Sequence, residues 1–234
     1  MINFISKDRV YRLALVIGFG LIFFLAFYKL GFATLRDWDE ARHGVNAYEM
    51  LQNGNWLITT YGYTNDYWNL KPMLSEWFII LGYKLFGFTP FGLRFYSVAA
   101  FILMVGICVV FCHKNIGRLS ALMTLFGFAA WKIFYSFHFV RNGDADSLFV
   151  CLYVITVLSL YKMWDDKRYL YLACLCVSLG FLAKSVHAAV FAIVIFISVF
   201  ATGYIKRLTG KNILLCFFFG IGADSYMGSL QSIC

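Results

Sequence analysis

The chain has 234 residues, 62% of them hydrophobic and 20% aromatic, with 14% charged and a formal net charge of +8. A soluble domain carries about 25% charged residues, so a soluble globule is excluded and an integral membrane protein is implied. No basic stripe interleaved with stacking aromatics accompanies the positive charge, so nucleic acid is not an expected partner; basic residues beside apolar spans set orientation instead.

The N-terminal stretch "MINFISKDRVYR" is basic and runs into an apolar segment reaching about Phe32. It lacks a small-residue cleavage site, so it reads as a first span that stays attached. About 20 apolar residues cross a bilayer. On that measure the spans fall at 10–33, 91–112, 118–139, 145–163, 169–184 and 186–205. Residues 34–90 form a long first outer loop. Within it a helix starts at Asp39, carries apolar positions Ala41, Val45, Tyr48 and Leu51, and stops at "NGN". The apolar run from Met73 to Gly87 is short and holds Glu76 and Lys84, which are costly in a bilayer centre. It is expected to lie in the interface.

With that choice the N-terminus, "HKNIGR", "KMWDDKR" and "YIKRLTGK" share the cytoplasmic side. The opposite face receives residues 34–90, "SFHFVRNGDADS" and the "AKSVH" corner. The seven Cys show no metal-ligand spacing, and those inside apolar runs behave as small hydrophobes. The final run "ILLCFFFGIGA" is about half a span and gives way to polar "DSYMGSLQSIC", as though a longer protein were interrupted. The expected fold is all-α: a polytopic transmembrane helical bundle, one domain over 1–234, with interfacial amphipathic helices in the first outer loop.

Charged residues collect on the outer face. Asp39 and Glu40 occupy the first turn of their helix, whose N-terminus favours ionised carboxylates by about 0.3–1 kcal/mol. N-capping explains one acid and not the pair. Arg42 follows on the next turn. Two spans later "RNGDADS" brings Arg141, Asp144, Asp146 and Ser147 to the same face. It can bind a cation, a sugar or a phosphate, or simply cap the next helix through Asp144. Lys71, just before the helix-starting Pro72, can hold a phosphate as a compact point charge or snorkel. Lys184 and His187 sit in a short turn on that face and carry the same two readings. Trp38, Tyr48, Trp56, Tyr61, Tyr63, Tyr67, Trp68 and Trp77 suit an interfacial aromatic belt. His43 and His138 are metal-ligand candidates, although lone histidines usually are not ligands.

These stretches, in their order, resemble the membrane glycosyltransferases of the GT-C type, in the branch of protein O-mannosyltransferases and bacterial aminoarabinose transferases. The resemblance runs over about residues 10–205 through "WDEARHGVNAYEML", "NGNWLITT", "KPMLSEW", "LFGFTPFGLRFYSVAA", "RNGDADSLFV" and "GFLAKSVHA". Members usually have Lys-Pro-Pro-Leu where Met73 stands here as the third residue. The resemblance implies transfer of a sugar, with inversion, from a polyprenyl-phosphate donor to an acceptor (lipid, glycan or protein) at the outer face of a bacterial inner membrane. It makes Asp39 the catalytic base and maps the acid of the second outer loop to Asp144 or Asp146; Glu40, beside Asp39, is counted in the catalytic set. It makes Lys71 a phosphate contact; Arg42, Arg141, Lys184 and His187, charged or polar on the same face, are counted as further substrate contacts. Some relatives use a divalent metal and some do not, which leaves a metal open. Enzymes of that branch are longer, with further spans and often a soluble C-terminal domain.

Two other readings compete. An inactive remnant that binds polyprenyl phosphate would keep the same residues. A transporter would place charges in mid-membrane; here the acids cluster in outer loops.

Overall fold

A computed structural model of the protein describes residues 8–35, 38–66, 72–135 and 139–210. Eight α-helices follow one another among these residues: α1 (Asp8–Phe27), α2 (Asp39–Asn53), α3 (Leu74–Phe86), α4 (Pro90–Asn115), α5 (Arg118–Ala130), α6 (Asp146–Lys162), α7 (Arg168–Lys184) and α8 (Ala189–Ala201). Two short strands, β1 (Thr60–Tyr61) and β2 (Thr64–Asn65), form an antiparallel hairpin between α2 and α3. The protein is an all-α helical membrane protein. Asp8–Phe27, Pro90–Asn115 and the Arg168–Ala201 stretch are each long and apolar enough to cross a membrane. The last of these is not one rod. Ser185 takes φ 50°, and Val199 near the end of α8 packs with Leu170, Ala173 and Cys174 near the start of α7, so α7 and α8 are antiparallel.

Burial is arranged as lipid requires. Ile22 and Ala26 of α1, Val98, Phe101, Met104 and Val105 of α4, and Ala121 and Leu125 of α5 form one core. Leu13, Val16, Ile17 and Phe24 of α1, and Ile193, Phe196, Ile197 and Phe200 of α8, are exposed. With lipid as the solvent those faces need no protein partner, while the backbone polar groups are satisfied within each helix.

The segment expected to span at 118–139 is shorter as a helix. α5 has 13 residues, about 20 Å at 1.5 Å per residue, against an apolar bilayer core of about 30 Å. The chain leaves the helix at Trp131 and continues as a 3₁₀ turn over Lys132–Tyr135. The cause is aromatic packing. Phe134 lies 5.1 Å from Phe128 and 5.6 Å from Phe101 between ring centroids, and the Tyr135 hydroxyl donates to the Phe128 carbonyl at 3.2 Å.

α3 and α4 are joined by Gly87, Phe88 and Thr89. Gly87 has φ 74°, and the Thr89 hydroxyl caps α4 by accepting from the Gly92 N–H at 3.1 Å, with Pro90 opening the helix. The two helices cross at glycine: a β-carbon on Gly82 would lie 2.1 Å from the Gly92 carbonyl oxygen. Lys84 rests on the Trp56 ring, 4.9 Å from its centroid, and the Trp77 indole N–H donates to the Trp56 carbonyl at 2.7 Å. The Glu76 end of α3 is turned inward and fully buried.

α2 begins at Asp39 and ends at Gly54, which caps it in the left-handed region at φ 68°, as "NGN" predicts. Its buried face is not the apolar stripe read from the sequence. Ala41, Val45, Tyr48 and Leu51 are half-buried, whereas Glu40, His43, Gly44, Asn46, Ala47, Glu49 and Met50 are buried. The polar residues go inside because partners on α3, α4 and the hairpin meet them there.

Candidate active site

Glu40 is the centre of the arrangement. Arg94, entering from the first turns of α4, donates from Nε to Glu40 Oε1 at 2.6 Å and from NH2 to Oε2 at 2.9 Å. Both side chains are buried. The guanidinium also donates to the carbonyls of Leu30, Ala33 and Thr34 at 2.9, 3.0 and 2.9 Å. It thereby fixes the chain that leaves α1 and leads toward Asp39. Glu40 Oε1 accepts a third bond, from the Gly143 N–H at 3.0 Å. One carboxylate therefore ties together the end of α1, the start of α2, α4 and the "RNGDADS" loop.

That loop is pinned along its length. The Tyr96 hydroxyl donates to the Gly143 carbonyl at 2.9 Å, and Ser147 Oγ donates to the Ser97 carbonyl at 2.7 Å. Arg141 NH2 donates to the Tyr28 carbonyl at 2.8 Å. Asp144 is buried, and its Oδ1 accepts from the Ala145 N–H at 2.8 Å.

His43, one turn along α2 from Glu40, is buried between two acids. Its Nδ1 lies 2.6 Å from Glu76 Oε1 on α3, and its Nε2 lies 3.7 Å from Asp144 Oδ1. Next to it, the Tyr83 hydroxyl of α3 donates to the Gly44 carbonyl at 3.3 Å. Burial pushes that hydroxyl above its ordinary value and the Glu40 charge adds to the rise, so Tyr83 stays a neutral donor.

On the other side of α2, Arg42 faces Asp66, just after β2, through two hydrogen bonds, one of them 2.8 Å from Nε to Oδ2. The Asn46 amide donates to the same oxygen at 3.2 Å. The hydrogen bond that Arg42 donates to Asp66 is the largest cause that raises the guanidinium above its ordinary value; the charges of Asp66, Tyr61 and Asp39 act in the same direction, against desolvation. Glu49 accepts from the Gly62 and Tyr63 N–H groups at 2.8 and 3.0 Å and so holds the hairpin turn to α2.

Asp39 is half-exposed at the head of this construction. The N-cap position falls on Trp38, which makes no side-chain cap bond and takes φ 79°. A non-glycine residue there is strained by about 1–3 kcal/mol. Asp39 is thus the first helical residue and not the cap.

Several expected site residues are placed elsewhere in the network. Asp146 opens α6 and is paired with Lys184 at the end of α7, both half-buried. His187 is exposed in the following 3₁₀ turn, with Nδ1 3.2 Å from the Lys184 carbonyl. Lys71, Asp37 and His138 lie outside the described residues.

The sequence reading overlooked Arg94 and passed over His43 as a lone histidine. It weighed Glu76 only as an obstacle to spanning, and it did not single out Glu49 or Asp66. A signal existed for two of them. Arg94 is a charge inside a predicted span, where charges are expensive and therefore paired. His43 follows Glu40 at the i, i+3 spacing that shares a helix face. Among the described residues no group of three or more His, Cys, Asp or Glu side chains is set to hold a metal ion. Both nitrogens of His43 are turned to carboxylates instead of a shared centre.

Known proteins carry the same architecture. The chain superposes on the crystal structure of ArnT from Cupriavidus metallidurans bound to undecaprenyl phosphate with a TM-score of 0.73 and 15% identity, over 93% of this chain and 41% of that one. The apo state of the same protein gives 0.75 and 16%, over 93% and 42%. An uncharacterized protein of Aquifex aeolicus (strain VF5) is 27% identical over 168 residues, 70% of this chain and 32% of that one. An undecaprenyl phosphate-alpha-4-amino-4-deoxy-L-arabinose arabinosyl transferase of Enterobacter sp. (strain 638) is 33% identical over 92 residues, 39% of this chain and 16% of the relative. The chain thus spans a third or less of these two relatives. Residues 70–227, well over half of the chain, match the family model described as dolichyl-phosphate-mannose-protein mannosyltransferase. The chain belongs to the dolichyl-phosphate-mannose-protein mannosyltransferase family.

Proposed function

We propose that this chain carries the membrane-surface site of a glycosyltransferase that moves a sugar from a polyprenyl-phosphate donor to an acceptor, with inversion at the anomeric carbon. The acceptor is a lipid, glycan or protein. The observation that carries the reading is the Glu40–Gly143 bond of 3.0 Å, which draws the acid of the first loop and the acid of the second to one cluster. Family membership supplies the donor class. The site is assigned to the outer face of a bacterial cytoplasmic membrane, where a lipid-linked donor keeps its tail in the bilayer.

The roles proposed are these, supported by the geometry of the described residues and, for Lys71, by the family resemblance alone. Asp39, half-exposed on the end of a rigid helix, is the general base that takes the acceptor's proton as the acceptor oxygen attacks the anomeric carbon and the polyprenyl phosphate leaves. Such a base contributes about 10²–10⁴-fold. Asp144, buried beside His43, is the second acid and orients the substrates. Glu40 is bound by Arg94 and Gly143 and acts as a positioning residue. Lys71 meets the donor phosphate. Lys184 with Asp146, and Arg141 at the mouth of the second loop, contribute polar contacts; Arg42 is held by Asp66 and braces α2.

The test is transfer of a labelled sugar from a polyprenyl-phosphate donor in membranes containing the chain, beside binding of polyprenyl phosphate itself. Transfer above that of membranes lacking the chain supports the proposal. The absence of transfer overturns it, and lipid binding without transfer favours the binding-only remnant.

A further inference from the structure

The buried array Glu76–His43–Asp144 has a property that neither family membership nor the role of Asp39 requires. A neutral imidazole has one N–H donor and one acceptor nitrogen, and an ionised carboxylate only accepts. Here both ring nitrogens face carboxylate oxygens, at 2.6 Å to Glu76 and 3.7 Å to Asp144. A neutral ring would turn a lone pair toward one of the acids. The 3.7 Å separation is too long for a hydrogen bond, so a shared proton does not hold Asp144 to the ring. A protonated ring would hold it by charge attraction, little screened at a site where all three side chains are buried. The Ala145 N–H donates to Asp144 Oδ1 at 2.8 Å, which favours the ionised carboxylate.

We infer that His43 is a positioning residue whose ring is doubly protonated in the resting protein, and that this cation holds the ionised Asp144 and the second loop against α2 and α3. The inference rests on the reading of Asp144 as an acid of the transfer site. Among the described residues, the acids that face the ring are Glu76 from α3 and Asp144 from the loop; nearby, Tyr83 of α3 bonds the Gly44 carbonyl, Tyr96 of α4 bonds the Gly143 carbonyl, and the Arg94–Glu40 pair lies one turn back along α2. The Arg94–Glu40 pair balances itself. A protonated ring faces Glu76 and Asp144 together. Its contribution to stability is present while the ring stays protonated and is lost as pH rises and the ring gives up its proton.

The experiment uses the full chain in detergent micelles with ¹⁵N-labelled histidine rings. The signal of His43, one of four histidines, is identified by its loss in His43→Asn. At about pH 7 both of its ring nitrogens are expected to be protonated. A neutral ring there overturns the inference whatever the activity proves to be. Thermal unfolding of wild type and His43→Asn is followed from mildly acid to alkaline pH. The wild-type midpoint should drop toward that of the variant as the ring deprotonates, by about 2–4 °C or more; parallel profiles overturn the anchoring role. In the transfer assay His43→Asn should lower kcat by up to about 10²-fold with the donor KM little changed. It should also remove the alkaline fall in rate. Wild-type turnover in that variant overturns the positioning role. A wild type that transfers nothing sinks the proposed function, while the ring charge and the unfolding profiles still decide this inference.

Discussion

Arg94 lies 54 residues beyond Glu40 in the chain and grips it through hydrogen bonds of 2.6 and 2.9 Å with both groups buried. A buried pair is weak support for stability when both partners are exchanged together. Removing one partner is different, because it strands the other charge. Arg94→Met should therefore destabilise the chain by about 3–5 kcal/mol. Glu40→Gln should cost less, since an amide oxygen can still accept from Gly143 and Arg94 keeps its three carbonyls. Chemical unfolding in detergent orders the two. Equal losses would mean that the carbonyl contacts of Arg94 contribute nothing.

Asp39→Asn tests the base. Asn matches the size of Asp but cannot take a proton, and α2 starts without a cap bond from residue 38. Transfer should fall by at least about 10²-fold with unfolding unchanged. Near-normal turnover would remove Asp39 from the chemistry.

Gly82→Ala tests the crossing of α3 and α4. The added carbon would meet the Gly92 carbonyl oxygen at 2.1 Å, and that oxygen belongs to backbone that cannot rotate away. A loss of about 1–3 kcal/mol is expected from overpacking. Gly20→Ala on α1 is the control, because its added carbon meets nothing within 4 Å. Similar unfolding of the two variants would contradict the close crossing.

Glu49→Ala removes the acceptor for the Gly62 and Tyr63 N–H groups. Losing two bonds to a charged group costs about 1.5–3 kcal/mol for each bond made, less what water recovers at this part-exposed turn. The effect should be local. Limited proteolysis should cut faster within 60–65, with little change in global unfolding. Unchanged cleavage would show that the turn holds itself.

Hydropathy alone determined that this is a helical membrane protein, because a span depends on twenty or so consecutive residues and on nothing distant. The same local logic gave the start of α2 at Asp39 and its stop at Gly54. It also placed the acids of "WDEARHG" and "RNGDADS" in loops joined to apolar helices. What the sequence could not determine was which face of α2 is buried. Its periodicity offered Ala41, Val45, Tyr48 and Leu51, and only the approach of Arg94, Glu76 and Asp66 makes the polar face the inner one. Periodicity assumes that water-loving residues seek water. In this protein Glu40 and His43 instead find hydrogen-bonding partners 54 and 33 residues away, and tertiary structure alone decides whether such partners arrive. The aromatic cluster that ends α5 early is of the same kind: Phe134 and Phe139 fall in the apolar run expected to span at 118–139, yet fold back onto Phe101. Local chemistry fixed the elements; long-range pairing of buried charges and rings fixed how they meet.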